Sequence, residues 1–356
     1  MTCAIVGDGL AALVGYATLR RGGLEPDEIA VFGTDPDPAS AWRVRAAAIR
    51  QRRMRSESDG HVAATSFPGL AVRRAARRPW SLVETLLDRY HPTVDEFLEH
   101  VESVRRASGW DASFRVARVE RVAPVAGGFE LDGAPCEHVL LAVGHPGLNV
   151  PEELAGRAVH AYEPHDYAGE VCVVGAGMAA ATEWLNALAA GSTVISVRRR
   201  EPARRPLNVA RHYFTKRGLA GFHRAEPERR VELLHGFLEP SYPPGRAWDA
   251  PLASPRFRVE ASVNGAEQVI CATGFRRGFA HDPLLARLVA ETGIETAASW
   301  IVLDPDSTVP GLTDATRTLA LAGAPAQWAF PAADTLVGMK VAARGFLRGV
   351  RSCRSR

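Results

Sequence analysis

Two stretches of this chain have the residue types and spacing to hold the pyrophosphate of a dinucleotide. Gly7-Asp8-Gly9-Leu10-Ala11-Ala12 follows the apolar run Cys3-Ala4-Ile5-Val6, and Gly175-Ala176-Gly177-Met178-Ala179-Ala180 follows Val171-Cys172-Val173-Val174. Each reads G-x-G-x-x-A between a strand-like run and a helical pattern, the context in which that motif carries weight. The first glycine permits a tight turn, the second lets backbone approach the pyrophosphate, and the small third residue, Ala12 or Ala180, lets the helix pack closely on the strand. The anion then faces a helix N-terminus, where unpaired N–H groups favour negative charge. The expected backbone contacts are Gly7, Gly9, Leu10 and Ala11 in the first loop, and Gly175, Gly177, Met178 and Ala179 in the second. Two loops predict two dinucleotides and a relay between them.

The two loops lead into unlike second strands. A βαβ unit normally carries an acid near the end of its second strand to hold the ribose hydroxyls. After the first loop that strand is Ile29-Ala30-Val31-Phe32, followed by Gly33-Thr34-Asp35. Asp35 is the nearest acid, offset from the usual place, or it merely begins the Asp-Pro-Asp-Pro turn. After the second loop the strand Thr193 to Val197 runs into Arg198-Arg199-Arg200. Guanidinium matches phosphate with paired hydrogen bonds, so these arginines suit a 2′-phosphate, unless they form an exposed basic turn.

These motifs need an α/β framework. Helices are predicted over about 10–21, 80–107 with Ser81 and Thr93 as N-caps, 178–190, 226–236 and 333–349. Phe114 to Val125 and Gly128 to Leu131 read as a small antiparallel sheet, and 43–55 as an amphipathic helix. Residues 137–144 form a buried strand, followed by a Pro-rich crossing through Val150-Pro151. Glu267 to Cys271 ends at Ala272-Thr273-Gly274-Phe275, paralleling Ala142-Val143-Gly144, so these two glycine-ended strands mark the ends of an inserted domain. The expected division is 1–155 and 278–356 for the first domain and 156–277 for the insert. Within it, 201–255 is a long elaboration, either a cap on the site or a surface feature.

Composition excludes several classes. A hydrophobic fraction of 46% and a charged fraction of 23% are ordinary for a globular protein. No apolar run approaches a membrane span. The first strand starts at residue 3, leaving no room for a leader, and the five cysteines form no C-x-x-C, so a reducing cytoplasm is expected. Ten arginines fall between Arg43 and Arg78, but no aromatic series accompanies them and nucleic-acid binding is not expected. The histidines lack ligand spacing, so no metal site is expected. A homo-oligomer is compatible with the sequence.

The chain resembles the two-dinucleotide-binding flavoproteins, specifically the flavin-containing and N-hydroxylating monooxygenases and their reductase relatives. The resemblance rests on the two loops, Trp42, Ala142-Val143-Gly144 and Ala272-Thr273-Gly274-Phe275, which matches that family's A-T-G-[YF] signature. His160-Ala161-Tyr162 and Asp166-Tyr167-Ala168-Gly169 resemble a degenerate form of its histidine motif, without the leading aromatic-x-Gly element. The resemblance implies a FAD-binding Rossmann-like domain with an inserted NADPH-binding one, and adds Trp42, Gly144, Thr273 and Gly274 to the cofactor contacts. It implies hydride transfer from NADPH to flavin, reaction with molecular oxygen to a C4a-peroxide, and hydroxylation of a small molecule at nitrogen or sulfur. Segment 42–69 matches the flavin- and substrate-facing position, which nominates Arg50, Gln51, Met54 and Ser56, unless the segment is a surface helix. A reductase serving a carrier protein and a low-turnover flavin redox sensor are the alternatives. Disulfide reduction lacks a paired thiol.

Overall fold

The apolar runs become parallel strands buried on both faces, as happens where helices cover both sides of a sheet. The structure, a computed structural model, describes residues 1–52, 54, 76, 79–80, 92–205, 208–243, 245, 248–249, 252–263 and 265–354. β1 (Cys3–Val6), α1 (Leu10–Arg21) and β2 (Ile29–Gly33) form the opening βαβ unit. α2 (Ser40–Ala48) and α3 (Val94–Ser108) follow, and α3 leads into β3 (Phe114–Val116). Thr93 caps α3: its Oγ1 accepts from the Glu96 N–H at 3.2 Å, and Glu96 Oε2 accepts from the Thr93 N–H at 3.0 Å. The two bonds form a reciprocal capping box, with Thr93 as the N-cap the sequence predicts. Ser81 lies outside the described residues.

The antiparallel sheet is β4 (Val122–Val125), β5 (Gly128–Leu131) and β6 (Ala134–Cys136). It does not include 114–116, contrary to the sequence expectation. Those residues pair parallel to β2, with Val31 opposite Phe114. The cause is α3, a helical crossover of the kind that connects parallel strands, whereas an antiparallel partner needs only a short turn.

β7 (His138–Leu141) then lies beside β1. β8 (Val159–His160), β9 (Glu170–Val174), α4 (Met178–Ala189) and β10 (Thr193–Val197) open a second unit. α5 (Lys216–Arg224), α6 (Pro227–Phe237), β11 (Phe257–Glu260) and β12 (Gln268–Cys271) continue it. After α7 (Pro283–Thr292), β13 (Thr318–Leu321) returns to the first sheet, and α8 (Leu336–Arg354) packs on α1. The first sheet is ordered β13-β7-β1-β2-β3 and the second β11-β10-β9-β12-β8, all parallel. Each contains the 3-2-1-4 order of the dinucleotide fold, with its switch point between β1 and β7 or between β9 and β12. Cys3, Cys172 and Cys271 are buried in β1, β9 and β12.

The segment 201–255 belongs only in part to the second unit. Phe222 of α5 and Leu234 of α6 share a core with Trp300, Trp328 and Phe330. The Arg230 guanidinium lies 4.0 Å from the Trp328 ring centroid and 4.9 Å from that of Phe222, and His223 Nε2 is 2.6 Å from the Ala329 carbonyl. The elaboration is thus a brace from the second unit onto the return segment of the chain.

Removing the Thr93 cap in Thr93→Ala should lower stability by about 1 kcal/mol. Urea unfolding followed by circular dichroism measures this, and a Thr93→Ser variant should retain most of the cap.

Candidate dinucleotide-binding sites

The two glycine loops have the same geometry. Gly7 adopts φ 123° and Gly175 φ 134°, a region favouring glycine. A Cβ on Gly7 would stand 2.3 Å from the Ala142 carbonyl oxygen, and one on Gly175 would stand 2.5 Å from that of Ala272. Gly9 and Gly177 cap α1 and α4 without a side-chain hydrogen bond, and nothing lies within 4 Å of a Cβ built on either. Each loop therefore presents open backbone and unpaired helix N–H groups, a cradle for an anion. Leu10 and Ala11 start α1 beside Gly323, and Met178 and Ala179 start α4.

At the second loop a crevice of about 900 Å³ opens at the C-terminal ends of β9, β10 and β12. Gly175, Gly177, Met178, Ala179, Thr273 and Gly274 line it together with Arg198, Arg199 and Arg200. The three arginines are not equivalent. Arg198 Nη2 is 2.6 Å from Glu201 Oε2, and its guanidinium lies 5.6 Å from the Trp184 ring centroid. Arg199 and Arg200 are exposed and have no ion-pair partner among the described residues. They stand at the end of β10, and Arg157 and Arg277 line the same crevice.

At the first loop the Asp35 side chain bonds to its own turn. Its Oδ1 accepts from the Asp37 N–H at 2.9 Å, and Ser40 and this bond hold its carboxyl below the usual carboxylate range. The acid at the end of β2 is Asp8, from within the glycine loop. Asp8 Oδ2 accepts from the Thr34 N–H at 2.7 Å, the Asp35 N–H at 3.0 Å and the Thr34 hydroxyl at 3.1 Å. The sequence pattern alone does not nominate Asp8, although an acid in the loop paired with a glycine at β2's end is a readable signal.

The crossings between units run side by side. The Asn149 N–H donates to the Gly274 carbonyl and the Arg276 N–H to the Gly147 carbonyl, both at 2.9 Å, and Thr273 Oγ1 donates to the Asn149 carbonyl. His160, buried at the end of β8, fixes them. Its Nδ1 accepts from the Tyr162 N–H at 3.1 Å, which leaves the Nε2 proton to donate to the Gly274 carbonyl at 3.0 Å. Burial pushes the pKa of this ring down. Phe275 stacks between His145 at 4.4 Å and Tyr162 at 5.1 Å, and the Arg45 guanidinium sits 4.9 Å from its centroid. Burial, with Arg277 and Arg45 nearby, pushes the His145 pKa down to about 3. Gly144, with φ 76° and open space around it, starts this passage. The Arg277 guanidinium makes no hydrogen bond among the described residues, and its Nη1 is buried. Burial lowers its pKa, and Asp334 opposes the shift. Crowding by protein raises the Asp334 carboxyl.

The nominated segment after Trp42 joins the two units. Trp42 packs on Phe97 at 4.9 Å in the first unit's core. The predicted helix over 43–55 ends at Ala48, because Asn186 Nδ2 of α4 takes the Ile49 carbonyl at 2.8 Å and Arg50 turns left-handed at φ 49°. Arg50 is held by the second unit: its Nη2 is 2.9 Å from Asp166 Oδ1 and its guanidinium 4.4 Å from the Tyr167 ring centroid. Gln51 bonds back to the Ala46 carbonyl at 2.8 Å, and the Met54 N–H donates to Pro92 at 2.8 Å while its side chain packs on the first unit. Ser56 lies outside the described residues. Beneath Arg50, the fully buried Glu183 accepts from the Tyr167 hydroxyl at 2.7 Å and lies 2.9 Å from His165 Nε2. No sequence signal singles this pair out beyond an acid amid the apolar run of α4.

No family model matches this chain, and no curated protein does. Solved structures match along nearly its full length. The ornithine hydroxylase PvdA from Pseudomonas aeruginosa superposes with a TM-score of 0.70 at 16% identity, covering 98% of each chain. The ornithine N-hydroxylase KtzI from Kutzneria sp. 744, solved with reduced FAD, NADP+ and L-ornithine, gives 0.70 at 13%, covering 99% of each. The cadaverine monooxygenase DfoA from Erwinia amylovora, bound to FAD, gives 0.74 at 12%, covering 98% of this chain and 94% of its own. The fold is that of the two-dinucleotide-binding flavoprotein monooxygenases.

Burial lowers the His165 pKa, but Glu183's hydrogen bond and charge outweigh it, so the folded value lies above the unfolded one. The stabilisation is full below pH ~6.5 and is lost as pH rises through the raised folded value. Thermal melts across that window should show wild-type stability falling with pH. Glu183→Gln should be less stable by about 2 kcal/mol at low pH, and its stability should no longer fall but rise with pH across the window, because burial then acts on His165 without an opposing charge.

Proposed function

We propose that the chain is an FAD-dependent, NADPH-using oxidoreductase, a monooxygenase that hydroxylates a small molecule at a nitrogen or sulfur centre. FAD is assigned to the first glycine loop, in a domain of residues 1–155 and 278–356. NADPH is assigned to the second, in the inserted residues 156–277. The observation that carries this is the repeated cradle: open backbone at Gly9 and at Gly177, each at a sheet switch point, with the exposed Arg199 and Arg200 lining the second. KtzI was solved with reduced FAD and NADP+ and DfoA with FAD, which supports the same pairing here.

The residues fit these groups. Gly7 to Ala11 and Gly175 to Ala179 offer N–H groups to the two pyrophosphates. Arg199 and Arg200 offer donors to a 2′-phosphate, and Thr273 and Gly274 form the wall that a nicotinamide nucleotide would cross. Bound flavin supplies the redox and oxygen chemistry, which side chains alone do not provide. The protein's part is to orient and to exclude water. The crossing rigidified by His160 and the Phe275 stack sets the relation of the two cradles, and His145 and Arg277 line a small pocket beside it. No helix among the described residues is long and apolar enough to cross a membrane, and the cysteine pattern supports a cytoplasmic setting.

The purified protein should take up FAD, show a flavin spectrum, and oxidise NADPH in preference to NADH with consumption of oxygen. A protein that cannot be reconstituted with FAD sinks this reading. Rapid NADPH oxidation with a carrier acceptor but no oxygen incorporation into product would favour a reductase. Arg199→Ala and Arg200→Ala should each raise the KM for NADPH about tenfold and leave that for NADH unchanged.

A further inference from the structure

We infer that Asp8 holds the adenosine ribose of the dinucleotide at the first glycine loop, replacing the acid that the end of β2 lacks; this rests on the FAD assignment above. The last residue of β2 is Gly33, and a Cβ there would stand 2.4 Å from Asp8 Cβ and 2.9 Å from Asp8 Oδ2. Asp8 therefore fills the space that a side chain at the end of β2 would occupy. An acid has moved from the strand to the loop, and the strand has become glycine to admit it.

The remaining contacts aim the carboxylate. Oδ2 is fully used, accepting from the Thr34 N–H, the Asp35 N–H and the Thr34 hydroxyl. Those bonds fix the side chain against the β2 turn, and Oδ1 has no partner among the described residues. Asp8 is partly exposed, between the two glycines whose open backbone faces the pyrophosphate. A ribose attached to that pyrophosphate and extending toward the end of β2 passes this oxygen. A carboxylate oxygen accepts from a ribose diol and repels a 2′-phosphate. The second loop has Ala176 at the matching position and arginines at its strand end, the opposite arrangement. Asp35, the nearest acid in sequence, is committed to Asp37 and Ser40.

The test titrates apoprotein with FAD and with an FAD analogue whose adenosine ribose lacks both hydroxyls, read by calorimetry, alongside apoprotein melting temperatures. Wild type should bind FAD about tenfold or more tightly than the analogue. Asp8→Asn keeps an oxygen for Thr34 and Asp35, so its melting temperature should hold. It should lose about 10- to 100-fold in FAD affinity and no longer discriminate between the two ligands. Gly33→Glu alone should lower the melting temperature by crowding Asp8. The double variant Asp8→Gly/Gly33→Glu should restore both stability and discrimination. Asp8→Asn binding FAD as wild type does, or losing FAD and the analogue equally, overturns the inference while leaving the FAD assignment intact. Wild-type apoprotein that binds neither ligand overturns both.

Discussion

Close approach of backbone to backbone governs this molecule. At each sheet switch point a glycine turn comes against the carbonyl that ends the neighbouring strand, Gly7 on Ala142 and Gly175 on Ala272. No side chain fits between them, so the turn can only lead outward into a helix whose first N–H groups are bare. The strand, loop and helix are thus one rigid unit, and the open faces of Gly9 and Gly177 result from it. The same contact explains why Ala142-Val143-Gly144 and Ala272-Thr273-Gly274 look alike. Each begins where its carbonyl has served the neighbouring glycine, and each must then leave its sheet.

Leaving the sheets, the two crossings meet and bond to one another, so the units are joined by a short antiparallel ladder rather than by loose linkers. His160 acts on this ladder from the second sheet through its Nε2 proton. Three further contacts limit relative movement: α5 and α6 against Trp328, Arg50 against Tyr167, and Asn186 against the Ile49 carbonyl. Linked domains with small polar contacts are expected to move relative to each other. Here buried aromatic contacts at Trp328 add to an ionic, hydrogen-bonded contact at Arg50 and Ile49.

The parts legible in the sequence are those whose chemistry is local. A glycine loop, a capping box at Thr93 and an arginine run each declare themselves within a few residues, and all three are where the spacing places them. What the sequence misses is set by tertiary neighbours. The helix after Trp42 stops at Ala48 because α4 supplies Asn186, a residue far away in sequence. Strand 114–116 joins the parallel sheet because a helix, not a turn, precedes it. Arg198 looks the same as Arg199 and Arg200 on paper, and only Glu201 and Trp184 distinguish it. Asp8 and Gly33 each look incidental alone, and their meaning lies in the contact between them.

A chain that holds two similar cradles faces a sorting problem, because pyrophosphate, ribose and adenine are common to both proposed cofactors. The backbone cannot solve it, since both loops present the same N–H groups in nearly the same conformation. At the adenosine end, discrimination must come from side chains at the edge of each cradle, where the ligands differ by a ribose 2′-phosphate. A carboxylate at one edge and two unpaired guanidinium groups at the other give opposite preferences for that phosphate. Each exclusion strengthens the other, for a dinucleotide that gains at one edge loses at its counterpart. On the proposed assignment, charge at two strand ends distinguishes the adenosine ends of the two sites.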